Sequence, residues 1–285
     1  MPSPRPIYES RIVVFLDFLG FRDHIERTVI DPTHVRKVAH AIDTVREFTQ
    51  KDSESMSQQV TQFSDCVVIS YAAVQPSAVF NLLLDIAMLQ VELASQGFLI
   101  RGGVTAGDLL HQPDMVFGPA LVEAYRIENS VALDPRVVVD RALVNIARAN
   151  PAPHHDGITE KRYVDGFLEV DADGHSYIDY ISWEAVVEGV GAESDDYPGY
   201  MVAIARILKL GFQSSEASVL RKMLWLHARY DAAIRHFLEP PRDPEVIARH
   251  SDFYEALIEL PQFAAELANA TQKVKSPARR PPNFE

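Results

Sequence analysis

Asp17 is the first residue of the chain whose type and position could do chemistry. It follows residues 12–16, an apolar run inside the stretch RIVVFLDFLGFR that predicts a buried central strand. A carboxylate at the edge of a core is costly to bury and is usually paired with a cation or a metal. Gly20 would let the backbone turn into a helix whose first N–H groups could face phosphate oxygens. Taken alone, the segment is explained more simply by an Asp that caps the following helix.

A second carboxylate, Asp65, lies in residues 59–71, QVTQFSDCVVISY, a pattern that predicts two strands joined by a tight turn at Ser64 and Asp65. An Asp in such a turn usually satisfies only its own backbone. Asp17 and Asp65 could nevertheless converge on divalent cations, since hard oxygen ligands suit Mg²⁺ or Mn²⁺, which keep substrate phosphates as further ligands. The two carboxylates are therefore a candidate two-metal nucleotide site.

Composition limits the class of protein. The 285 residues, 47% of them hydrophobic, allow one large domain or a domain with an appendage. A net charge of −13 argues against a general nucleic-acid binder or a binder of anionic membranes. The single cysteine, Cys66, excludes a disulfide framework and is expected to be a small buried residue rather than a nucleophile. The N-terminal stretch resembles no signal peptide and no run approaches a membrane span, so we expect a soluble cytoplasmic protein.

Hydrophobic spacing predicts the elements that position these residues. Helices are predicted at residues 23–28, 31–50 and 76–94, and a strand at residues 98–106. Together with the first strand and the hairpin they give the order βααββαβ, which predicts an α+β fold of the ferredoxin-like type, an antiparallel sheet with helices on one face.

The remainder of the chain is predicted more coarsely. We expect a helix at about 118–129, strands at 136–140, 163–168 and 176–181, and helices at 197–210 and 214–237. The adjacent His154, His155 and Asp156 are interpreted as an exposed loop rather than a metal site. The predicted domains are residues 8–185 for the core, 186–272 for a helical extension and 273–285 for a loose tail.

Three segments in this order resemble the catalytic domain of the class III nucleotidyl cyclases. They are Asp17-x-x-Gly20-Phe21, Ser64-Asp65 in a hairpin, and the strand RGGV beginning at residue 101 with residues 118–126 after it. The resemblance covers residues 8–185. Enzymes of this family close a nucleoside triphosphate into a 3′,5′-cyclic monophosphate and release pyrophosphate.

The resemblance implies a role for each residue of the metal site. Asp17, Asp65 and the carbonyl of Phe18 would hold two divalent ions, Mn²⁺ or Mg²⁺, that activate the ribose 3′-hydroxyl and neutralise the phosphates. A short turn would lie under the triphosphate: Leu19, Gly20, Phe21 and Arg22.

Arg126 matches the family's transition-state arginine, a role suited to its fixed charge and planar donors. Without the motif it would be interpreted as a surface arginine paired with Glu123 or Glu128 on its own helix. In this family two catalytic domains pack head to tail, so that the metal Asp pair of one protomer faces the base-reading residues and the arginine of the other. The resemblance therefore implies a homodimer with two composite sites.

The departures from the family pattern concern the base. Thr61 and Met115 occupy the positions where purine cyclases have their base-reading residues, and neither matches the purine patterns. Val122 replaces the usual asparagine of the helix, and Ser64 replaces the usual glycine before the second metal Asp. The phrases FLDFLGF and FSDCVVIS, the RGG strand and the absence of purine-reading residues are similar to the pyrimidine cyclases of bacterial Pycsar antiphage systems. The product of those enzymes, cyclic UMP or cyclic CMP, signals to an effector. The resemblance favours UTP as the substrate.

A late lysine that grips the phosphates in this family has its nearest match by spacing at Lys161 or Arg162. Two other functions stay open. A purine-using cyclase of ordinary signalling would share the metal site and differ in the base pocket. A cyclase-like sensor without catalysis would normally have lost a metal Asp or the arginine, so the presence of Asp17, Asp65 and Arg126 together argues against it.

Overall fold

A computed structural model of the protein describes residues 8–50, 57–239 and 244–275. The contacts divide the chain into two compact units, Met1–Tyr197 and Pro198–Glu285. The predicted boundary after residue 185 lies inside the first unit, and residues 276–285 of the predicted tail lie outside the described residues.

The first unit contains the predicted order βααββαβ. Its elements are β1 (Glu9–Phe18), α1 (Phe21–Ile30), α2 (Pro32–Gln50), β2 (Gln59–Phe63), β3 (Cys66–Ala72), α3 (Ala78–Ser95) and β4 (Ile100–Gln112). The α+β fold with a C-terminal helical part is confirmed.

Seven further helices and strands of this unit follow β4. They are β5 (Met115–Phe117), α4 (Pro119–Ser130), β6 (Val137–Val139), α5 (Ala142–Ala149), α6 (Gly157–Asp165), β7 (Leu168–Val170) and β8 (Ser176–Ile178). A short π-helical segment, Glu184–Gly189, and a 3₁₀ turn, Ser194–Asp196, complete the unit.

The strands form one sheet in the order β2-β3-β1-β4-β6-β8-β7, with β5 paired to β4. The three central pairings, β1 with β3, β1 with β4 and β2 with β3, are antiparallel, whereas β4 and β6 are parallel. β1 is therefore the central strand that the apolar run predicted.

The two faces of β1 are covered by different helices, because side chains alternate along a strand. Ile12, Val14 and Leu16 belong to the main core with residues of α2 and α3. Val13 instead packs with Ala120 and Ala124 of α4. The prediction of helices on one face is therefore incomplete, since α4 covers the opposite face.

The helix α3 is long and apolar enough, by length and composition, to cross a membrane. Its buried side chains, among them Leu82, Leu83 and Ile86, belong to the main core under the sheet. Burial in the core accounts for the apolar composition of this helix.

The segment before β7 corrects one secondary-structure prediction. The strand predicted at 163–168 is wrong, because residues up to Asp165 belong to α6 and β7 begins at Leu168. Asp156 caps α6 by accepting a hydrogen bond from the Thr159 N–H, a start signal that the sequence pattern did not reveal. His154 is exposed as predicted, but His155 is bonded to the buried Glu160 and is not an exposed loop residue.

The second unit is helical, as the apolar spacing predicted. It holds α7 (Tyr197–Gly211, which starts at the last residue of the first unit), α8 (Ala217–Leu238), α9 (Pro244–Arg249), α10 (Ser251–Ile258) and α11 (Ala264–Lys275). Phe212, His227, Tyr230 and Phe263 form an aromatic cluster inside this unit.

Gly103 of β4 lies in tight contact with α4. A Cβ placed there would lie 2.4 Å from the Ala124 carbonyl oxygen and 2.6 Å from Ile127 Cβ. A Cβ at Gly107, also under α4, would meet Ala120 Cβ at an ordinary 3.5 Å. The first glycine is therefore required by packing, and the second is not.

We expect Gly103→Ala to reduce the free energy of unfolding by roughly 1–3 kcal/mol, because a backbone carbonyl can give way only if α4 moves. Gly107→Ala is the matched control on the same strand and should unfold within about 0.5 kcal/mol of wild type. Chemical denaturation followed by circular dichroism measures both, and equal stabilities would show that α4 is not seated on Gly103.

Candidate functional site

The candidate site lies where three neighbouring strands bring Asp17, Cys66 and Arg101 side by side. In the sheet Asp17 is opposite Cys66 of β3 and opposite Arg101 of β4. Residues directly opposite each other in antiparallel strands share a face of the sheet. The face is the one that α4 covers, so the end of β1 places a carboxylate between a thiol and a guanidinium.

The β2–β3 turn adds the second carboxylate. One ligand atom each of Asp17, Asp65 and Cys66 lies within 4.8 Å of the others, and no other group of three potential metal ligands is found among the described residues. Ser64 adopts φ 52°, a left-handed conformation that favours glycine. The Phe18 N–H donates to the Asp65 carbonyl at 3.3 Å and ties the turn to β1.

Cys66 contributes a protonated thiol. Its Sγ donates to Asp17 Oδ1 at 3.7 Å. Burial and the neighbouring carboxylates of Asp17 and Asp65 raise the pKa of the thiol to about 12. The thiol is thus neutral at physiological pH and is not poised as a nucleophile, in agreement with the sequence-based interpretation.

Arg101 joins β4 to both β1 and α4. Its Nη2 lies 3.3 Å from Asp17 Oδ2 and 2.7 Å from Oε1 of Glu128, whose side chain is only 3% exposed. The motif RGGV contains Arg101 but does not predict this pair, and position along the chain predicts Glu128 only as a partner of Arg126. The sequence signal for this pair is limited to the opposite charges of two residues on different elements.

The carboxylates outnumber the cation at this end of the sheet. Burial raises the pKa of Asp17, with Arg101 acting against the rise and Asp65 adding to it. Burial likewise raises the pKa of Glu128, opposed by Arg101. Asp17 and Asp65 offer hard oxygen ligands, and part of their negative charge is uncompensated. Such a pair suits a divalent cation such as Mg²⁺ or Mn²⁺.

The turn after β1 has the geometry of an open helix N-terminus. Gly20 caps α1 with φ 70° and ψ 24° and provides no side-chain cap. Asp17 is therefore not the helix cap, and that simpler interpretation is wrong. The Leu19 N–H donates to the Leu99 carbonyl at 2.8 Å, whereas Phe21 and Arg22 open the helix, where N–H groups lack intrahelical partners.

The side chains of this turn diverge. Phe21 packs near Phe18, with ring centroids 5.9 Å apart. Arg22 is exposed and pairs with Glu26 one turn later on α1.

The two predicted base-reading residues stand on β2 and β5. Thr61 is half-buried, and its hydroxyl lies 2.9 Å from Nε2 of His111, a residue that the sequence analysis missed. Met115 is 49% exposed at the start of β5, paired in register with Gln112.

Arg126 is not brought to Asp17 and Asp65 within the chain. It is exposed on α4 and donates to both carboxylate oxygens of Glu123 at 2.8 and 2.6 Å, which raises its pKa further. It also lines a cavity of about 340 Å³ whose lining includes neither aspartate.

The cavity next to Arg126 contains a second arginine, Arg141, two residues after the end of β6. Arg141 donates to Ser176 Oγ at 3.4 Å and to the Gly174 carbonyl at 3.0 Å. Lys161 and Arg162 instead lie on α6, where Lys161 pairs with Asp165 and Arg162 lies 5.7 Å from the Tyr163 ring. Neither residue lines this cavity.

Comparison with known proteins gives likenesses of fold only. No protein-family model and no curated protein matches the chain. The adenylyl cyclase CyaB from P. aeruginosa is similar at 11% identity and a TM-score of 0.40, over 50% of this chain and 82% of that chain. Two structures of a bacterial light-regulated adenylyl cyclase are similar at 14% identity, over 57% of this chain and 57% and 58% of those chains, with TM-scores of 0.39 and 0.40. The chain thus spans less than two thirds of the length of the light-regulated enzymes. Sequence identities and TM-scores this low indicate a similar fold and do not show an activity.

The electrostatics of Asp17 give a stability prediction. Its pKa in the folded protein exceeds its ordinary value, so its stabilising contribution is present at acidic pH and is lost as the pH rises through the raised pKa. In the presence of EDTA at pH 7 we expect Asp17→Asn to raise Tm by roughly 2–4 °C, the shift that about 1 kcal/mol gives in a domain of this size. Arg101 keeps Glu128 as its partner in the variant.

Addition of Mn²⁺ should place the Tm of wild type above that of Asp17→Asn. Metal binding to the native state raises Tm by mass action, and we expect the rise to be larger for wild type than for Asp17→Asn. Asp43→Asn, an exposed carboxylate on α2, is the control and should behave as wild type. An equal Mn²⁺-induced rise in wild type and Asp17→Asn would exclude Asp17 as a ligand.

Proposed function

We propose that the protein is a nucleotide cyclase that converts UTP into 3′,5′-cyclic UMP and pyrophosphate. The observation that carries the proposal is the convergence of Asp17 and Asp65, from a strand end and a hairpin turn, to within 4.8 Å of one another. The two carboxylates lie close together at the partly buried edge of the sheet, and part of their negative charge is uncompensated. A pair of divalent ions bound with a triphosphate would compensate that charge.

The residues of the site suggest how the substrate would be held. Asp17, Asp65 and the Phe18 carbonyl would bind two Mn²⁺ or Mg²⁺ ions, which when bound supply a more acidic ribose 3′-hydroxyl and charge neutralisation at the phosphates. The open N-terminus of α1 at Phe21 and Arg22 offers N–H donors to phosphate oxygens. Arg101 stays paired with Glu128 when the Asp17 oxygens turn to a cation, so no bare guanidinium is left in the site.

The transition-state arginine would come from a second copy of the chain. Arg126 is exposed on α4 and is not part of its own chain's carboxylate group. Apolar side chains exposed on β2, β5 and α4 favour a partner surface in this region: Phe63, Met115, Phe117, Val122 and Tyr125. A head-to-tail homodimer would place Arg126, with Arg141 beside it in the cavity, opposite the partner's aspartates.

The base preference rests on the smallness of the polar groups at the two base positions. Thr61 offers a short hydroxyl and Met115 offers no strong hydrogen-bonding group, so the long or charged side chains that read purines are missing. A pyrimidine held close to the sheet suits this pocket, and the resemblance favours uracil. CTP and purine triphosphates are the alternative substrates.

The product would be a diffusible signal made in the cytoplasm. By the resemblance to Pycsar cyclases, cyclic UMP would activate a separate effector during phage infection. A purine-using cyclase of ordinary signalling would share the metal site, so the identity of the base decides between the two functions.

Incubation with each of the four ribonucleoside triphosphates and Mn²⁺, followed by chromatography of cyclic products, tests the function. We expect predominant cyclic UMP from wild type, and at least a hundredfold less from Asp65→Ala, which loses a metal ligand. Asp43→Ala, on the exposed face of α2, should retain wild-type turnover. Predominant cyclic AMP or cyclic GMP would contradict the pyrimidine assignment, and cyclic CMP would contradict only uracil.

The dimer is tested by complementation. Asp65→Ala and Arg126→Ala should each be inactive, whereas their mixture should recover up to about a quarter of wild-type turnover, because half of the dimers would be mixed and each would own one intact site. Arg46→Ala, which breaks an exposed ion pair of the same spacing as Arg126 with Glu123, is the control and should be active alone. Inactivity of a mixture in which mixed dimers are demonstrated would exclude the head-to-tail site.

A further inference from the structure

A chain of buried polar side chains ends at Thr61, the position predicted to read the base. Arg11 Nε donates to Ser70 Oγ at 2.9 Å, Ser70 Oγ lies 2.8 Å from His111 Nδ1, and His111 Nε2 lies 2.9 Å from Thr61 Oγ1. Ser70 is fully buried, and Arg11 and His111 are 4% and 8% exposed. Such a network has defined proton positions only if every member is satisfied.

The network connects strands that are not neighbours. His111 is on β4, yet its ring bonds side chains of β3 and β2, which lie on the far side of β1 in the order β2-β3-β1-β4. The end of β4 therefore reaches across the sheet face to Thr61. Both ring nitrogens of the buried His111 are thereby hydrogen-bonded, as buried polar groups require.

The direction of each hydrogen bond follows from Arg11. A guanidinium has donors only, so Ser70 Oγ accepts from Arg11 and keeps its own proton to donate. Among the described residues the acceptor within reach of that proton is His111 Nδ1. A neutral His111 then carries its proton on Nε2 and donates to Thr61 Oγ1.

His111 is held in the neutral form that this assignment requires. Burial, with the charge of Arg11 in addition, lowers the pKa of His111 to about 4. At physiological pH the ring is thus an imidazole with one donor and one acceptor. The Thr61 hydroxyl receives a hydrogen bond from inside, and its own proton has no acceptor among the described residues.

We propose that His111, oriented by Ser70 and Arg11, determines base specificity by fixing the Thr61 hydroxyl as a hydrogen-bond donor toward the substrate. The inference rests on the proposed function and narrows its substrate class to nucleoside triphosphates whose base presents an acceptor there, such as a carbonyl oxygen of uracil or the ring N3 of cytosine. An amino group at the same place would have to use the second lone pair of Thr61 Oγ1 and would leave the hydroxyl proton without an acceptor, so it would be disfavoured.

Variants of His111 and Thr61 test the assignment. Thr61→Val removes the hydroxyl and keeps the shape, His111→Met removes the ring donor, and His111→Gln keeps an amide N–H near the Nε2 position. The measurement is the binding of the four 3′-deoxynucleoside triphosphates, which lack the nucleophile and cannot cyclise, with Mn²⁺ by calorimetry. Wild type should prefer one base by about tenfold or more, a preference that Thr61→Val and His111→Met lose and His111→Gln retains.

A structural role would give a different pattern. His40→Met, on the exposed surface of α2, is the matched control and should leave the base preference unchanged. An equal loss of affinity for all four nucleotides in His111→Met would overturn the inference, as would an unchanged preference in Thr61→Val. Thr61 is only half-buried and valine has nearly the same shape as threonine, so Thr61→Val is expected to fold. This variant keeps the inference testable if His111→Met fails to fold.

The tautomer is measured without any substrate. In a ¹⁵N spectrum of labelled histidine, with His111 assigned from its Gln variant, we expect a protonated Nε2 and an unprotonated Nδ1 at pH 7. A proton on Nδ1 would overturn the inference. Wild-type protein that binds none of the nucleotides would refute the proposed function and this inference together, whereas binding with an unaltered preference refutes the inference alone.

Discussion

The pairing of Arg101 with Glu128 and Asp17 is the interaction on which the site depends. One guanidinium pairs with two carboxylates that the sheet and α4 bury, and each carboxylate would be more costly at that depth without it. Because the arginine is on β4 and its partners are on β1 and α4, the same contact fixes the helix over the strands. The position of Asp17 is therefore determined by the fold before any cation is bound.

The parts of this arrangement that follow local rules could be predicted from sequence. An apolar run that ends on Asp17 predicts a central strand, and the turn residues at Ser64 and Asp65 predict a hairpin tip, because both signals lie within a few neighbouring residues. The order βααββαβ follows from the same periodicities. Given that order, the approach of Asp17 to Asp65 is a consequence of strand pairing.

The parts that depend on residues distant in sequence could not be predicted. Glu128 is near Arg126 in sequence, but residues two apart on a helix do not face each other, and the structure pairs Glu128 with Arg101 of β4 and Arg126 with Glu123. His111 carries no motif, and its link to Thr61 exists only because the end of β4 crosses the sheet. The capping of α6 by Asp156 likewise competed with a strand pattern over a segment too short for periodicity to decide.

The tight seat of α4 on Gly103 has a consequence for how this helix can change in evolution. Glu128 and Arg126 are two residues apart and so point about 200° apart around the helix axis, one into the buried ion pair and the other out to the surface cavity. A rotation of the helix that improved the setting of one would carry the other away. We therefore expect the rotation of α4 about its own axis to stay fixed in evolution. Substitutions in this helix should then be confined to its exposed positions.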